Sequence, residues 1–144
     1  MLKIVVIGGN AAGLTAASRA RRLDPNLEIT VLEKSPYISY STCGIPYYVA
    51  GDVSSDQLIS FSPARLLSER NIDAQTNVQI EEILPSRKRV LGQRIDTGER
   101  ISEQFDRLLI ATGVTPQTSH IPGSDLRNVF SLTTLEDAIR FRSA

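Results

Sequence analysis

The stretch "IVVIGGNAAGLTAA", residues 4–17, decides the fold class, because a buried-strand pattern runs into a glycine turn and then into a helix pattern. Residues 4–7 are β-branched and apolar, which is typical of a strand covered on both faces of a parallel sheet. The alanine-rich residues 11–23 predict a helix that ends at "DPN", and residues 28–32 predict a second strand. This strand–helix–strand order predicts a doubly wound, Rossmann-like α/β fold with a parallel sheet.

Short helices are predicted after the second strand, and a small antiparallel sheet follows them. Pro46 and Pro63 occupy first helical turns, where proline is tolerated, and Ser62 supplies an N-cap for the second of these helices. The strands of an antiparallel β-meander are predicted over residues 78–84, 89–95 and 100–105. The sequence "DTGE" at residues 96–99 predicts one of its tight turns.

Two further elements complete the predicted fold. The sequence "RLLIATG", residues 107–113, predicts another buried parallel strand that ends in a turn of small residues. In the tail, Thr133 or Thr134 caps a predicted helix, with Glu136 and Asp137 in its first turn. We expect residues 1–144 to form a single domain.

Composition excludes several classes of protein. With 41% hydrophobic and 22% charged residues over 144 positions, the chain is expected to fold around a core. Its formal net charge of zero gives no global attraction to nucleic acid or to an anionic membrane, and neither is expected as a partner.

Glycines and arginines after the first apolar run argue against an export signal, and no apolar run reaches the roughly 18 residues of a membrane helix. Cys43 is the only cysteine, so no internal disulfide is possible and a cytoplasmic location is expected.

The glycine turn has the composition of a dinucleotide-binding site. Gly8, Gly9 and Gly13 leave space for a pyrophosphate at a helix N-terminus. Asn10 replaces the middle glycine of the usual fingerprint, but asparagine tolerates the left-handed backbone that such a turn can require. Glu33 comes 20 residues after Gly13, at a strand end from which a carboxylate binds ribose hydroxyls. We expect a bound dinucleotide without a 2′-phosphate, either NAD or FAD; a tight turn that binds no nucleotide is the alternative.

Three motifs in this order resemble the FAD-dependent pyridine nucleotide-disulfide oxidoreductases. They are "VVIGGNAAGLTAA" (5–17) with Glu33, "SYSTC" (39–43) and "FDRLLIATGVTPQTSHIPG" (105–123). Within that family the chain is similar to the single-cysteine branch, which holds coenzyme A-disulfide reductases, persulfide reductases, NADH oxidases and NADH peroxidases. Family members continue into an NAD(P)H-binding domain and a dimerisation domain. The resemblance therefore implies that residues 1–144 are the N-terminal FAD-binding portion of a longer, homodimeric enzyme.

The resemblance implies FAD as the cofactor and NAD(P)H as the electron donor. Residues 8–13 are expected to line the pyrophosphate, Glu33 to bind the ribose, and the backbone at Gln79 and Ile80 to contact the adenine. The complete set of implied FAD contacts is Gly8, Gly9, Asn10, Ala11, Ala12, Gly13, Glu33, Lys34, Gln79, Ile80, Ala111, Thr112 and Gly113. No metal site is predicted.

The single cysteine has two interpretations. Free cysteine is often a buried packing residue, but the place of Cys43 in "SYSTC", between two flavin motifs, implies a redox-active thiol against the isoalloxazine ring. The short helix predicted at Pro46 follows it, and the exposed amides of a helix start favour a thiolate. A lone thiol has no second cysteine in the chain to pair with. Its oxidised form is therefore a mixed disulfide with a small thiol, a persulfide or a sulfenic acid.

Part of the first predicted helix is implied to bind substrate. Thr15, Arg19 and Arg22 are spaced i, i+4 and i+7 and so share one helix face. By resemblance to coenzyme A-disulfide reductases, the coenzyme A contacts are Thr15, Arg19, Arg22, Ser39, Thr42 and Asn71. Asn71 departs from the basic residue expected there, and a solvated helix face is the alternative interpretation of the arginines. Arg21 points elsewhere on the helix and is expected to be ordinary surface.

These residues together predict a flavoprotein disulfide reductase. Electrons are expected to pass from NAD(P)H through FAD to Cys43, and then to coenzyme A disulfide, a persulfide or a similar small-thiol disulfide. Peroxidases and water-forming oxidases of the branch carry a histidine in the glycine turn, whereas this chain has Ala11; His120 is expected to be an exposed loop residue. The alternatives are an NADH oxidase or peroxidase of the same branch, and a nucleotide-binding module without redox activity.

Overall fold

The computed structural model describes residues 1–117 and 121–144. These residues form two compact units. The first unit comprises residues 1–39 and 61–112, and the second unit comprises residues 40–60 and 113–144.

The strands all belong to the first unit, which also contains two of the α-helices. In chain order the strands are β1 (Lys3–Ile7), β2 (Glu28–Leu32), β3 (Asp73–Gln75), β4 (Val78–Leu84), β5 (Arg89–Arg94), β6 (Arg100–Gln104) and β7 (Arg107–Ile110). The helices are α1 (Ala11–Leu23), α2 (Ile45–Ala50), α3 (Ser55–Leu58), α4 (Pro63–Arg70) and α5 (Leu135–Ser143). Helices α1 and α4 lie in the first unit, and α2, α3 and α5 lie in the second. Short 3₁₀ turns occur at Thr42–Gly44 and Pro85–Arg87.

A parallel sheet of order β3-β2-β1-β7 organises the first unit. Val5 and Val6 are neighbours on the central strand β1 and point to opposite faces, and they are 0% and 1% exposed, so both faces of the sheet are covered. On the Val6 face the core includes Leu14 of α1 and Leu66 of α4. A second core cluster holds Val5 together with residues of the antiparallel sheet, including Val90.

The antiparallel sheet has the order β4-β5-β6. Its register shifts between Ile80 and Glu82, which leaves Glu81 as an extra residue in a β-bulge. A parallel sheet with packed helices and a small antiparallel meander confirms the predicted fold class. Helix α1 and strands β2 and β4 have the predicted bounds.

Strand β3 was not anticipated by the sequence pattern. It has three residues, and Ala74 is its only buried one, so it shows neither a continuous apolar run nor an alternation. Pairing with the edge of β2, from Thr30 opposite Asp73 to Leu32 opposite Gln75, makes it a strand. The strand predicted in "RLLIATG" is β7, which ends at Ile110 before the small residues of the turn, as expected. It is not the buried strand predicted, because it lies at the end of the sheet order and Ile110 is 59% exposed.

Helices and turns make up the second unit. A β-bridge joins Tyr40 to Ile59, and α2 begins at Ile45, one residue before the predicted start. The guanidinium of Arg142 in α5 lies 4.6 Å from the ring centre of Tyr48 in α2, a cation–π contact. Across the described ranges 1–117 and 121–144, the helices are too short or too polar to span a bilayer.

Asp137 fixes the start of α5. Its Oδ2 accepts hydrogen bonds from the amides of Thr133 (3.1 Å) and Thr134 (3.0 Å) and from the Thr133 hydroxyl (2.9 Å). In return, the Thr134 hydroxyl accepts a hydrogen bond from the Asp137 amide, so Thr134 is the N-cap. Burial acts to raise the pKa of the Asp137 carboxyl, but hydrogen bonds from Thr133, Thr134 and Arg140 outweigh burial and lower this pKa below its usual range.

We expect Asp137→Ala to reduce the free energy of unfolding at pH 7 by about 2 kcal/mol, because the capping bonds and the Arg140 ion pair are lost. The folded-state pKa is lowered, so this contribution is complete above the ordinary aspartate pKa of about 4 and is lost as the pH falls through the folded-state value. Urea denaturation should therefore show a smaller difference between variant and parent at pH 3 than at pH 7. Asp125→Ala, in an exposed turn, is the control; an equal loss in both variants would contradict the capping role.

Candidate functional site

The glycine turn joins the ends of three strands and the start of α1. The Gly8 amide donates to the carbonyl of Leu32 at 2.9 Å, and the Ala111 amide donates to the carbonyl of Ile7 at 2.7 Å. Gly8 has φ +106°, and a Cβ at this position would overlap the carbonyl group of Ala111. Only glycine combines this left-handed backbone with so close an approach to β7.

Gly13 allows α1 to pack directly on this turn. A Cβ on Gly13 would overlap the carbonyl oxygen of Gly8 and would lie 3.0 Å from Cγ1 of Val6. The first residues of α1, Ala11 and Ala12, are exposed and carry only methyl groups. A helix start with exposed amides and minimal side chains is the arrangement that accommodates a pyrophosphate.

The structure corrects the explanation that the sequence suggested for Asn10. Its φ is −110°, so this position does not use the left-handed backbone that asparagine was expected to tolerate. The left-handed residue of the turn is Gly8. An asparagine at the middle position of the fingerprint is therefore compatible with the backbone of the turn.

Glu33 connects the end of β2 to the same turn. Its Oε2 accepts a hydrogen bond from the Gly9 amide at 2.5 Å, and its Oε1 accepts one from the Ser35 amide at 2.8 Å. Each carboxylate oxygen can accept more than one hydrogen bond, so both can also accept ribose hydroxyl groups. Lys34, the next residue, is exposed. The predicted ribose position and the predicted pyrophosphate turn thus lie in direct contact.

The predicted adenine contacts depend on a residue that the sequence analysis missed. Gln79 and Ile80 lie on β4 at the bulge, and Gly92 of β5 is opposite Ile80. A Cβ on Gly92 would overlap the carbonyl of Gln79 and would lie 2.9 Å from Cα of Ile80. A lone glycine inside the strand pattern "RVLGQR" is a known signal of a bulge or of a close backbone approach, and it could have identified this residue.

The remaining predicted flavin contacts divide between the two units. Ala111 and Thr112 end the first unit after β7, and Gly113 belongs to the second. Ala111 is the residue against which Gly8 packs. The first unit therefore brings together residues 8–13, Glu33 and Ala111, a group that we call the cradle; its binding of a pyrophosphate and a ribose stays a prediction.

Cys43 lies in the second unit, in the 3₁₀ turn that precedes α2, and is exposed. The backbone around it is held by its neighbours: the Ser41 amide donates to the carbonyl of Leu58 at 2.9 Å, and Ile45 and Leu58 are 3% and 6% exposed. A Cβ on Gly44 would overlap the side chain of Leu58, which keeps this turn tight. The exposure removes the alternative that Cys43 is a buried packing residue; its redox role stays a prediction.

The predicted coenzyme A contacts are at the surface. Thr15, Arg19 and Arg22 are exposed along α1, and Asn71 is exposed as the C-cap of α4. The backbone amide of Ser39 donates to the carbonyl of Gly9 at 3.0 Å, which attaches the start of "SYSTC" to the glycine turn. The last member of the set, Thr42, is exposed in the second unit.

Arg21 is not the ordinary surface residue that the sequence suggested. Its Nη1 donates to the carbonyl of Pro25 and its Nη2 to the carbonyl of Asn71, both at 2.6 Å. The reason is local geometry: α1 ends at Leu23, so the chain reverses within reach of the Arg21 guanidinium. The interaction brings Asn71 to the end of α1.

His120 lies outside the described residues. Among the described residues, no group of three or more His, Cys, Asp or Glu side chains could hold a metal ion.

Comparison with known proteins identifies the class of this chain. A family model described as pyridine nucleotide-disulphide oxidoreductase matches residues 2–144. The chain belongs to the pyridine nucleotide-disulphide oxidoreductase family. Membership confirms the predicted oxidoreductase class and its cofactors, FAD and NAD(P)H.

Relatives within the family include persulfide reductases and an NADH oxidase. An NAD(P)H coenzyme A polysulfide/persulfide reductase from Pyrococcus horikoshii is 38% identical over 97% of this chain and 31% of its own length. An NADH oxidase from Methanocaldococcus jannaschii is 36% identical over 94% of this chain and 30% of its own length. The solved structure of an NAD-dependent persulfide reductase from A. fulgidus has 41% identity and a TM-score of 0.91 over 99% of this chain and 26% of that one. The chain thus spans less than a third of each of these relatives.

We expect Gly13→Ala to lower the free energy of unfolding by about 2 kcal/mol, because the added Cβ forces α1 away from the carbonyl of Gly8. The same displacement should weaken FAD binding. Urea denaturation and a flavin fluorescence titration measure the two effects. Ala16→Ser adds one atom at a half-buried position of the same helix and should change neither by more than about 0.5 kcal/mol. Undiminished FAD binding by the Gly13 variant would argue against the cradle.

Proposed function

We propose that this chain is the N-terminal FAD-binding portion of a longer NAD(P)H-dependent reductase that reduces a disulfide or persulfide of coenzyme A through Cys43. The observation that carries the proposal is the exposure of the only cysteine, in a chain whose first unit also brings residues 8–13, Glu33 and Ala111 together. A thiol at the surface is accessible to a substrate sulfur, whereas a packed thiol is not. The coenzyme A persulfide reductase from P. horikoshii supports the substrate class.

Residues of the cradle would hold the FAD. The α1 start, from Gly8 to Gly13, would face the pyrophosphate, and Glu33 would accept the ribose hydroxyls. Gln79 and Ile80 would offer backbone groups to the adenine, at a distance set by Gly92. When bound, FAD supplies a two-electron relay between NAD(P)H and sulfur.

Cys43 would perform the sulfur chemistry. Its thiolate attacks one sulfur of coenzyme A disulfide, which forms a mixed disulfide with Cys43 and releases one coenzyme A thiolate. An electron pair that originates from NAD(P)H then cleaves the mixed disulfide. This step restores the Cys43 thiolate and releases the second coenzyme A, so one NAD(P)H and one proton convert one disulfide into two thiols.

Recognition of coenzyme A would use the exposed face of α1. Arg19 and Arg22 supply cations for the phosphate groups of the substrate, and Thr15 and Asn71 supply polar groups on the same part of the first unit. Ser39 and Thr42, which belong to the "SYSTC" motif that ends at Cys43, would complete the set. We further propose that the whole enzyme is a homodimer and works in the reducing cytoplasm.

An NADH oxidase is the second candidate, because the M. jannaschii relative with 36% identity has that name. In such an enzyme Cys43 would cycle through a sulfenic acid. Ala11, where the oxidase and peroxidase branches are expected to carry a histidine, favours the reductase. A module without redox activity is the third candidate, and it predicts that Cys43 is dispensable.

We expect Cys43→Ser in the full-length enzyme to lower NAD(P)H-dependent reduction of coenzyme A disulfide on the order of a thousandfold, because serine cannot form the mixed disulfide. Bound FAD should be retained, since Cys43 is not among the residues that are proposed to hold its pyrophosphate, ribose and adenine. The measurements are thiol release from coenzyme A disulfide and the flavin absorbance of the purified variant.

Ser41→Ala is the matched control, because Ser41 is an exposed neighbour in the same turn and should keep most of the activity. Full reductase activity in the Cys43 variant would support the non-catalytic module. Fast oxygen consumption by the parent enzyme, without reduction of coenzyme A disulfide, would contradict the proposal and identify an NADH oxidase.

A further inference from the structure

We propose that Arg21 is a positioning residue of the coenzyme A site, which it serves by fixing Asn71 at the end of α1. The inference rests on the proposed function, because the role of Asn71 as a coenzyme A contact belongs to that proposal. Arg21 itself would not touch the substrate. Its effect would pass through the backbone of Asn71.

The first support is the geometry of the guanidinium. Two of its nitrogens donate to two backbone carbonyls, those of Pro25 and Asn71, at 2.6 Å each. A guanidinium is planar and its donors have fixed directions, so these two bonds fix both carbonyls relative to α1. The Nε of Arg21 is buried without a hydrogen-bond partner. This burial does not extend to the two hydrogen bonds donated by Nη1 and Nη2, which lie at the exposed surface of the first unit.

A second, reciprocal link ties α4 back to α1. Nη1 of Arg70 donates to the hydroxyl of Ser18 at 2.8 Å, and Ser18 is only 6% exposed. The same guanidinium lies 4.2 Å from the ring centre of Phe61. Arg21 and Arg70 thus connect the two helices in opposite directions, from α1 to the end of α4 and from α4 to the middle of α1.

Asn71 lies between these links in a conformation that needs support. It is the C-cap of α4 with φ +50° and ψ +43°, a left-handed backbone that asparagine adopts more readily than most residues. Its amide donates to the carbonyl of Leu67 at 2.9 Å and its carbonyl is held by Arg21, while the residue is exposed. The backbone is thus fixed at both of its polar groups, which holds the exposed Asn71 at the end of α1.

The test is a double-mutant cycle on the full-length, FAD-loaded enzyme, with coenzyme A binding measured by calorimetry. Arg21→Met removes the donors and keeps a flexible apolar stem of similar length. Asn71→Gly removes the side chain, and it keeps both the carbonyl and the left-handed backbone. We expect Arg21→Met to weaken coenzyme A binding about fivefold in the parent and less than twofold in the Asn71→Gly background. FAD content and the KM for NAD(P)H should not change.

Two controls separate this inference from the proposed function. Arg127→Met makes the same change at an exposed arginine of the second unit and should leave coenzyme A binding unchanged. Arg22→Met removes a proposed direct contact and should weaken binding in both Asn71 backgrounds. If neither Arg22→Met nor Asn71→Gly weakens binding, the coenzyme A site itself is wrong, and the role of Arg21 fails with it.

The inference alone is overturned if Arg22→Met and Asn71→Gly weaken binding but Arg21→Met does not. It is also overturned if Arg21→Met weakens binding equally in both backgrounds, because a general loosening of the helices would act in that way. Should the methionine variant not fold, Arg21→Lys retains a single donor nitrogen in place of the two that the guanidinium uses. Lysine should weaken coenzyme A binding about twofold, and Asn71→Gly should abolish that effect; an undiminished effect would overturn the inference.

Discussion

The close approach of backbone groups at Gly8 and Gly13 is the constraint on which the first unit depends. Gly8 lies against the carbonyl of Ala111, and Gly13 lies against the carbonyl of Gly8, so β7, the turn and α1 meet without an intervening side chain. This contact sets where α1 starts and where its free amides point. The carboxylate of Glu33 can accept a hydrogen bond from the Gly9 amide only because the turn comes this close to the end of β2.

Helix α1 packs on the sheet with one side and carries predicted site residues on its exposed parts. Its buried side contributes Leu14 and Ala17 to the core, which fixes the helix on the sheet. Its first turn belongs to the nucleotide cradle, and its exposed arginines, Arg19 and Arg22, lie further along the same rigid element. In the proposed function, cofactor and substrate contacts therefore lie on one helix of 13 residues, which holds them in a fixed relation without a hinge.

The successes and failures of the sequence-based predictions have physical reasons. The bounds of α1, β2 and β4 follow from local patterns, because each is a continuous apolar or amphipathic segment with a turn residue at its end. Strand β3 has three residues and one buried side chain, so its pattern is too weak to detect; it exists because β2 offers a free edge. The hydrogen bond from Arg21 to the carbonyl of Asn71 joins residues 50 positions apart in the chain, and no local pattern contains it.

The sequence by itself determined the class of the protein. The glycine turn, the acidic residue at the end of β2 and the spacing of the three motifs need no tertiary information, because each reflects a local steric or charge requirement of nucleotide binding. Only the tertiary structure decided what surrounds the predicted site residues: Gly92 lies against Gln79, Arg21 donates to the carbonyl of Asn71, and Cys43 is exposed. Burial, close approach and long-range hydrogen bonds are properties of pairs of residues that folding brings together, and a single stretch of sequence does not specify the partner.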